Sequence, residues 1–232
     1  MGANAVTTVP VYVAGEVLTA ADMNITNSGI PVFATTVTRD AAFGGAGEKT
    51  LAEGQFAYIE ATDQTMYYSG ASWLALGGKL GQVVSTTKTD TYTMASQTYA
   101  TVTGLTATIT PSSASSKVLV IAALSGCGDN GVSRSTSQLI RDSTAIAVAT
   151  SAGSRVAGTS PLTMPPNNFD FYSTNLLFLD SPASTSALVY GVQVRSNDGA
   201  GATTYINRSK DDTNSVSFTR AVSTITVMEI LA

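Results

Sequence analysis

"SSKVLVIAALSG", residues 115–126, carries apolar side chains at both odd and even positions. A strand with one wet face alternates with period two, so a run that is apolar on both faces is expected to be covered on both. The stretch reads as the central, buried strand of a sheet, and the second half of the chain arranges itself around it. Upstream, "TYATVTGLTATITP" (98–111) places Leu105, Ala107 and Ile109 on one face and Thr106, Thr108 and Thr110 on the other. Downstream, "SQLIRDSTAIAVA" (137–149) turns at Asp142-Ser143, and "STNLLFLDSP" (173–182) stops at a proline that no ladder extends past. "SALVYGVQVRSND" (186–198) directs Leu188, Tyr190, Val192 and Val194 inward, with Gln193 and Arg195 outward. "TTYINRS" (203–209) and "STITVMEIL" (223–231) complete a predicted meander of seven or eight strands. Short strands separated by Gly, Pro, Asn and Asp turns predict an antiparallel β-sandwich of the jelly-roll kind.

One segment breaks the rhythm. Residues 151–174, "SAGSRVAGTSPLTMPPNNFDFYST", contain three prolines and no clear periodicity. So long an irregular stretch is unusual inside a compact domain. It reads equally as an exposed functional loop or as a crossover packed against another subunit.

The first third has a different texture. "LTAADMN" (18–24) suits a single helical turn capped by Thr19, with Asp22 at the third position. "GIPVFATTV" (29–37), "GQFAYIEA" (54–61), "QTMYYSG" (64–70) and "ASWLALG" (71–77) read as strands joined by short turns, a compact hairpin module. "GGKLGQ" (77–82) then interrupts with three glycines. The expected organisation is a module over 1–78, a hinge over 79–82 and the sandwich over 83–232. The fold class is all-β.

Composition narrows the chemistry. Of 232 residues, 12% are charged, 44% are hydrophobic and none is histidine; Cys127 is the single cysteine. A disordered chain shows the opposite balance. Thr, Ser, Ala and Gly replace charge, which suits surfaces packed into an assembly. The net charge is −4 and no basic run exists, so no nucleic-acid partner is expected. The start lacks the pattern of a signal peptide, and no window is apolar enough for a spanning helix, so no membrane insertion is expected.

Zinc, copper and haem sites lack ligands without His or paired Cys. "SNDGAGATT" (196–204) and "KDDTNS" (210–215) hold oxygens but not the spacing of a calcium loop, and read as turns, Asp211-Asp212 among them. Histidine triads are excluded. In "GGAGEKT" (44–50), Glu48 stands where a phosphate loop needs its last glycine. Carboxylate pairs remain formally open through Glu60, Asp63, Asp170, Asp180 and Glu229, which are scattered along the chain. No catalytic residue, metal or cofactor is expected, and the chain does not read as an enzyme.

Aromatic residues are the remaining contact candidates. Trp73, with Tyr67 and Tyr68, could stack on a sugar, but reads better as a cross-strand staple giving a small hairpin its core. Phe169, Phe171 and Tyr172, in the proline-rich segment, are the stronger candidates for contact with a glycan or a host surface.

Two groups of residues carry a resemblance. "AGEVLTAADMN", "GIPVFATTVTRDAAF" and "GQFAYIEATDQTMYYSGASWLAL" together are similar to the virion-attachment modules of tailed-bacteriophage fibre and minor tail proteins. The matching positions are Leu18, Thr19, Ala20, Asn24, Arg39, Asp40, Tyr67, Tyr68 and Trp73. "SSKVLVIAALSG", "LLFLDSP", "TTYINRS" and "STITVMEI" resemble the terminal β-domain of phage structural proteins. The resemblance implies a virion protein assembled in the host cytoplasm. It would form a short homotrimeric tail fibre, spike or minor tail protein that docks on tail, neck or capsid proteins through residues 1–78. No collagen-like or heptad shaft is present, which argues against a long fibre. A capsid decoration protein or head fibre, and a carbohydrate-binding module, are the competing readings.

Overall fold

A computed structural model describes residues 14–17, 29–45, 48–129, 134–162, 165, 167–199 and 202–231. The helical turn expected over 18–24 lies outside them. The chain divides into two compact units, Met1–Gly78 and Lys79–Ala232.

In the first unit, β1 (Val32–Phe33) runs parallel to β2 (Phe56–Ile59), and β3 (Gln64–Tyr68) and β4 (Trp73–Ala75) follow antiparallel. The strand expected over 29–37 is cut to two residues, because its threonines cap a helix instead. Thr35 Oγ1 accepts from the Thr38 backbone N–H at 3.2 Å, and Thr38 Oγ1 accepts from the Thr35 N–H at 3.0 Å. This capping box starts α1 (Thr36–Asp40). The β3–β4 turn is closed by the Ser69 N–H donating to the Ser72 carbonyl, with Gly70 at φ +90°, a conformation that favours glycine. Phe33, Ala42, Ala57 and Ile59 are fully buried, and Phe43, Met66 and Trp73 pack on them.

The second unit is an antiparallel sandwich, not a sequential meander, and has eleven strands among the described residues. They are β5 (Leu80–Lys88), β6 (Tyr92–Met94), β7 (Ala100–Ile109), β8 (Lys117–Gly128), β9 (Ser135–Arg141), β10 (Thr144–Ile146), β11 (Ser160–Leu162), β12 (Tyr172–Asp180), β13 (Leu188–Ser196), β14 (Thr204–Ile206) and β15 (Ser223–Ile230). One sheet runs β5–β15–β8–β14–β6 with β12 on the other edge of β8; the other runs β10–β9–β13–β7 with β11 on β9. From β6 to β9, and again from β11 to β14, each connection passes to the opposite sheet, the jelly-roll habit. Leu80, Gly81 and Gln82, expected in a hinge, are the first residues of β5, and Leu80 pairs with Ile230.

β8 is the central strand that its sequence predicts, with ladders to β12, β15 and β14. Its even positions from Val118 to Leu124 are buried, as are Leu105, Ala107 and Ile109 of β7 and Leu188, Tyr190, Val192 and Val194 of β13. Its odd positions from Lys117 to Ala123 are not fully covered, and Ile121 is 37% exposed. Gly126 marks a close approach: a Cβ there would sit 2.6 Å from the Tyr205 carbonyl oxygen of β14.

Two stretches of the 151–174 segment, expected to be aperiodic, are strand. The Thr159 N–H donates to the Ser137 carbonyl, and β11 pairs with Ser135–Ser137, so this part packs on the chain's own sheet. From Tyr172 the segment is already β12.

Candidate functional site

Two aromatic groups were expected, and the structure places one in each unit. In the first, the Arg39 guanidinium lies 4.7 Å from the Trp73 ring centre, while its Nε and Nη2 donate to Asp40 Oδ1 at 2.9 and 2.7 Å. Arg39 Nη1 points at Met66 Sδ, 3.0 Å away. Trp73 also meets Phe43 at 5.8 Å and Tyr68, its cross-strand partner, at 5.6 Å. The half-buried indole is thus occupied by three neighbours from its own unit, the arrangement of a staple. α1 brings the arginine, and the tight β3–β4 turn brings the tryptophan.

In the second unit, Phe169 is 54% and Tyr172 41% exposed, whereas Phe171 is half-buried. Asn167 shapes the display: its Oδ1 accepts from the Phe169 and Asp170 N–H groups at 2.8 and 3.0 Å, and its Nδ2 donates to Asp170 Oδ2. Such an Asx turn fixes the backbone while leaving the Phe169 ring outside. The ring meets Phe218 edge-on at 5.6 Å. Phe218 comes from the 208–222 segment, which the Asp211 N–H ties to the Asn168 carbonyl at 3.1 Å.

That second segment is more built than a solvated turn. Asp212 receives Arg208 Nη1 at 3.1 Å and Arg220 Nη2 at 2.5 Å, and Arg208 lies over Tyr205 at 4.9 Å. Lys210 Nζ pairs with the buried Asp129 at 2.7 Å, and this hydrogen bond raises the lysine's pKa. Beneath lies Cys127, whose thiol burial pushes up to about 11. Phe218, Arg208 and Arg220 were not singled out in the sequence. The only signal available was one Phe flanked by arginines twelve residues apart, and it pointed to no partner.

Of the five scattered carboxylates, Asp180 and Glu229 are buried. Asp180 Oδ2 accepts from Tyr190 Oη and Arg141 Nη1, both at 2.7 Å. Glu229 Oε1 accepts from the Ser112 N–H and hydroxyl, both at 2.6 Å. Burial pushes the Glu229 carboxyl up, but the hydrogen bonds from Ser112 and from the Gln82 backbone outweigh it and hold it below the usual range. Asp63 accepts a hydrogen bond from Tyr58. Among the described residues no group of three or more His, Cys, Asp or Glu could hold a metal ion, and no helix is long and apolar enough to cross a membrane.

What the exposed aromatics can do is stack. Phe169 and Tyr172 offer flat apolar faces, with Asn167 and Asp170 beside Phe169, a surface suited to a sugar ring or an apolar protein contact.

No protein-family model matches the chain. No curated protein matches it in sequence. Among solved structures, it is similar to a chain in "Structure of infectious bursal disease virus Gt strain", with 11% identity and a TM-score of 0.36. The match covers 81% of this chain and 50% of that one, so the chain spans about half the length of the protein it is matched to. A superposition of that quality establishes neither a common fold nor a common role.

Proposed function

We propose that the chain is a bacteriophage virion structural protein, a short homotrimeric tail fibre or spike, or a minor tail protein. It docks by residues 1–78 and exposes its β-sandwich, with host attachment as the task of that sandwich. One observation carries the reading. Arg39, Asp40, Tyr68 and Trp73, four of the residues on which the resemblance to attachment modules rests, form one contact network in a unit with its own core. A capsid decoration protein or head fibre is the same reading with a different docking partner, which imaging of labelled particles distinguishes.

The test is reconstitution of particles grown without this protein. The full chain should sediment with them and have the native mass of a trimer, and Trp73→Ala should release it from the particle while the sandwich still melts as before. A chain that runs as a 23.8 kDa monomer and ignores the particles overturns the reading.

The exposure of Phe169 and Tyr172 favours a second reading, a glycan-binding surface. Glycan-array binding that is lost in Phe169→Ala and Tyr172→Ala, with the fold intact, supports it; an array with no bound glycan removes it.

A further inference from the structure

The two outer faces of the sandwich are unalike. An antiparallel sheet with one wet face is expected to be apolar inside and polar outside. The β7–β13 region largely obeys this, presenting Thr103, Thr106 and Thr108, with Gln193 and Arg195 on the same face and Val189 as an exposed exception. The other sheet does not. Across β12, β8, β15 and β5, one register row reads Leu179, Leu119, Met228 and Val83. All four point away from the core, because the neighbouring positions Val118, Val120 and Val227 are the buried ones. The next row begins with Leu177 opposite Ile121. Leu177 is 65%, Val83 51% and Leu179 45% exposed. These side chains are register neighbours on one face of four adjacent strands, so they lie together as one patch and not as scattered surface residues.

From this we infer that the outer face of the β12–β8–β15–β5 sheet is where a second copy of this chain docks. The inference rests on the assembly reading above and names the surface that reading leaves open. Two properties point to a like partner. The second row continues as Thr226 and Ser85, joined by a 2.9 Å hydroxyl contact, and the third holds Asn175, Ala123, Thr224 and Thr87. These three rows carry no charged side chain, which leaves no ionic handle for a foreign partner. Each copy carries a net charge of −4, so copies repel one another, and these three uncharged rows, with the exposed Lys117 at their end, are where approach costs least.

The face as a whole approaches the size that a stable interface needs. β12 is nine residues long. Four strands of that length, about 4.8 Å apart, present on the order of 550 Å² in projection. Side-chain relief brings that toward the about 800 Å² that each partner buries in a stable interface.

The test is the mass of the full chain, by sedimentation or light scattering over a wide concentration range. Wild type is compared with Leu177→Asp, Val83→Asp, the milder Leu177→Ser, and Val189→Asp on the opposite sheet. The wild type should self-associate, both aspartate changes should weaken association at least tenfold, and Val189→Asp should leave it intact. Circular dichroism melting confirms that each variant is folded. A trimer that persists unchanged in the aspartate variants overturns this interface while leaving the trimeric assembly standing. A wild-type dimer that both variants dissolve supports the interface and refutes the trimer. A wild type that stays monomeric at every concentration overturns both.

Discussion

The guanidinium of Arg39 lies over the indole of Trp73, 4.7 Å from the ring centre, and Arg39 is only 5% exposed. A buried cation on an aromatic face contributes about 1–2 kcal/mol, and arginine's planar group stacks where an ammonium does not. Arg39→Lys should therefore lower the melting midpoint of the first unit, although charge is kept. Trp73 is the chain's single tryptophan, so its fluorescence reports that unit alone. An unchanged midpoint in Arg39→Lys would show that the contact is incidental.

Asp180 is a buried acceptor with two strong donors, Tyr190 Oη and Arg141 Nη1. Tyr190→Phe leaves the carboxylate one donor short and should cost about 1–3 kcal/mol. Asp180→Ala strands a partly buried arginine as well and should cost about 3 kcal/mol or more. Urea unfolding measures both; equal stability of Tyr190→Phe and wild type would contradict the buried network.

Glu229 supplies an acid-sensitive contact. Its folded pKa lies below the ordinary value of 4.5, so the carboxylate binds its proton more readily in the unfolded chain. The stability it contributes is present above pH 4.5 and is lost as pH falls through the lower, folded value. Melting midpoints of wild type should drop across that acid window, and Glu229→Gln should flatten the drop. Parallel acid limbs for the two proteins would assign the effect to other carboxylates.

Cys127 should be silent. It is fully buried and its thiol is pushed up to about 11, so little thiolate exists at pH 8. A thiol reagent should modify it at the rate of unfolding, and promptly in denaturant. Fast labelling of the native protein would show that the β8–β14 region opens.

The sandwich was legible because its strands obey simple alternation. Leu105, Ala107 and Ile109, or the inward set from Leu188 to Val194, follow directly from period two. Val32–Phe33 was overextended because a β-branched run looks like strand until a threonine pair finds a reason to cap a helix. β14 lies within the predicted "TTYINRS" and β10 follows the predicted turn at Asp142-Ser143, but the three-residue β11, inside the proline-containing segment, is too short to show a period, and tertiary pairing alone defines it. The site was less legible for a similar reason. Phe169 stands out as an aromatic in a polar loop, but its contact with Phe218 joins segments far apart in sequence. Glu229 sits in an apolar strand at an inward position, and nothing local announces Ser112 as its partner.

β5 opens the second unit, yet among the described residues its ladder partner is β15 alone, and Ser85 meets Ile225 across 140 positions of sequence. At synthesis rates of about 5–20 residues per second, β5 leaves the ribosome on the order of ten seconds before its neighbour exists. The strand that waits carries Leu80, Val83 and Val84. The first unit, whose sheet and core draw on residues within its own seventy-eight, can finish in that interval. The nascent chain therefore emerges with a folded leading unit and a sticky, unpaired strand behind it, and its need for a holding chaperone is greatest just before β15 is made.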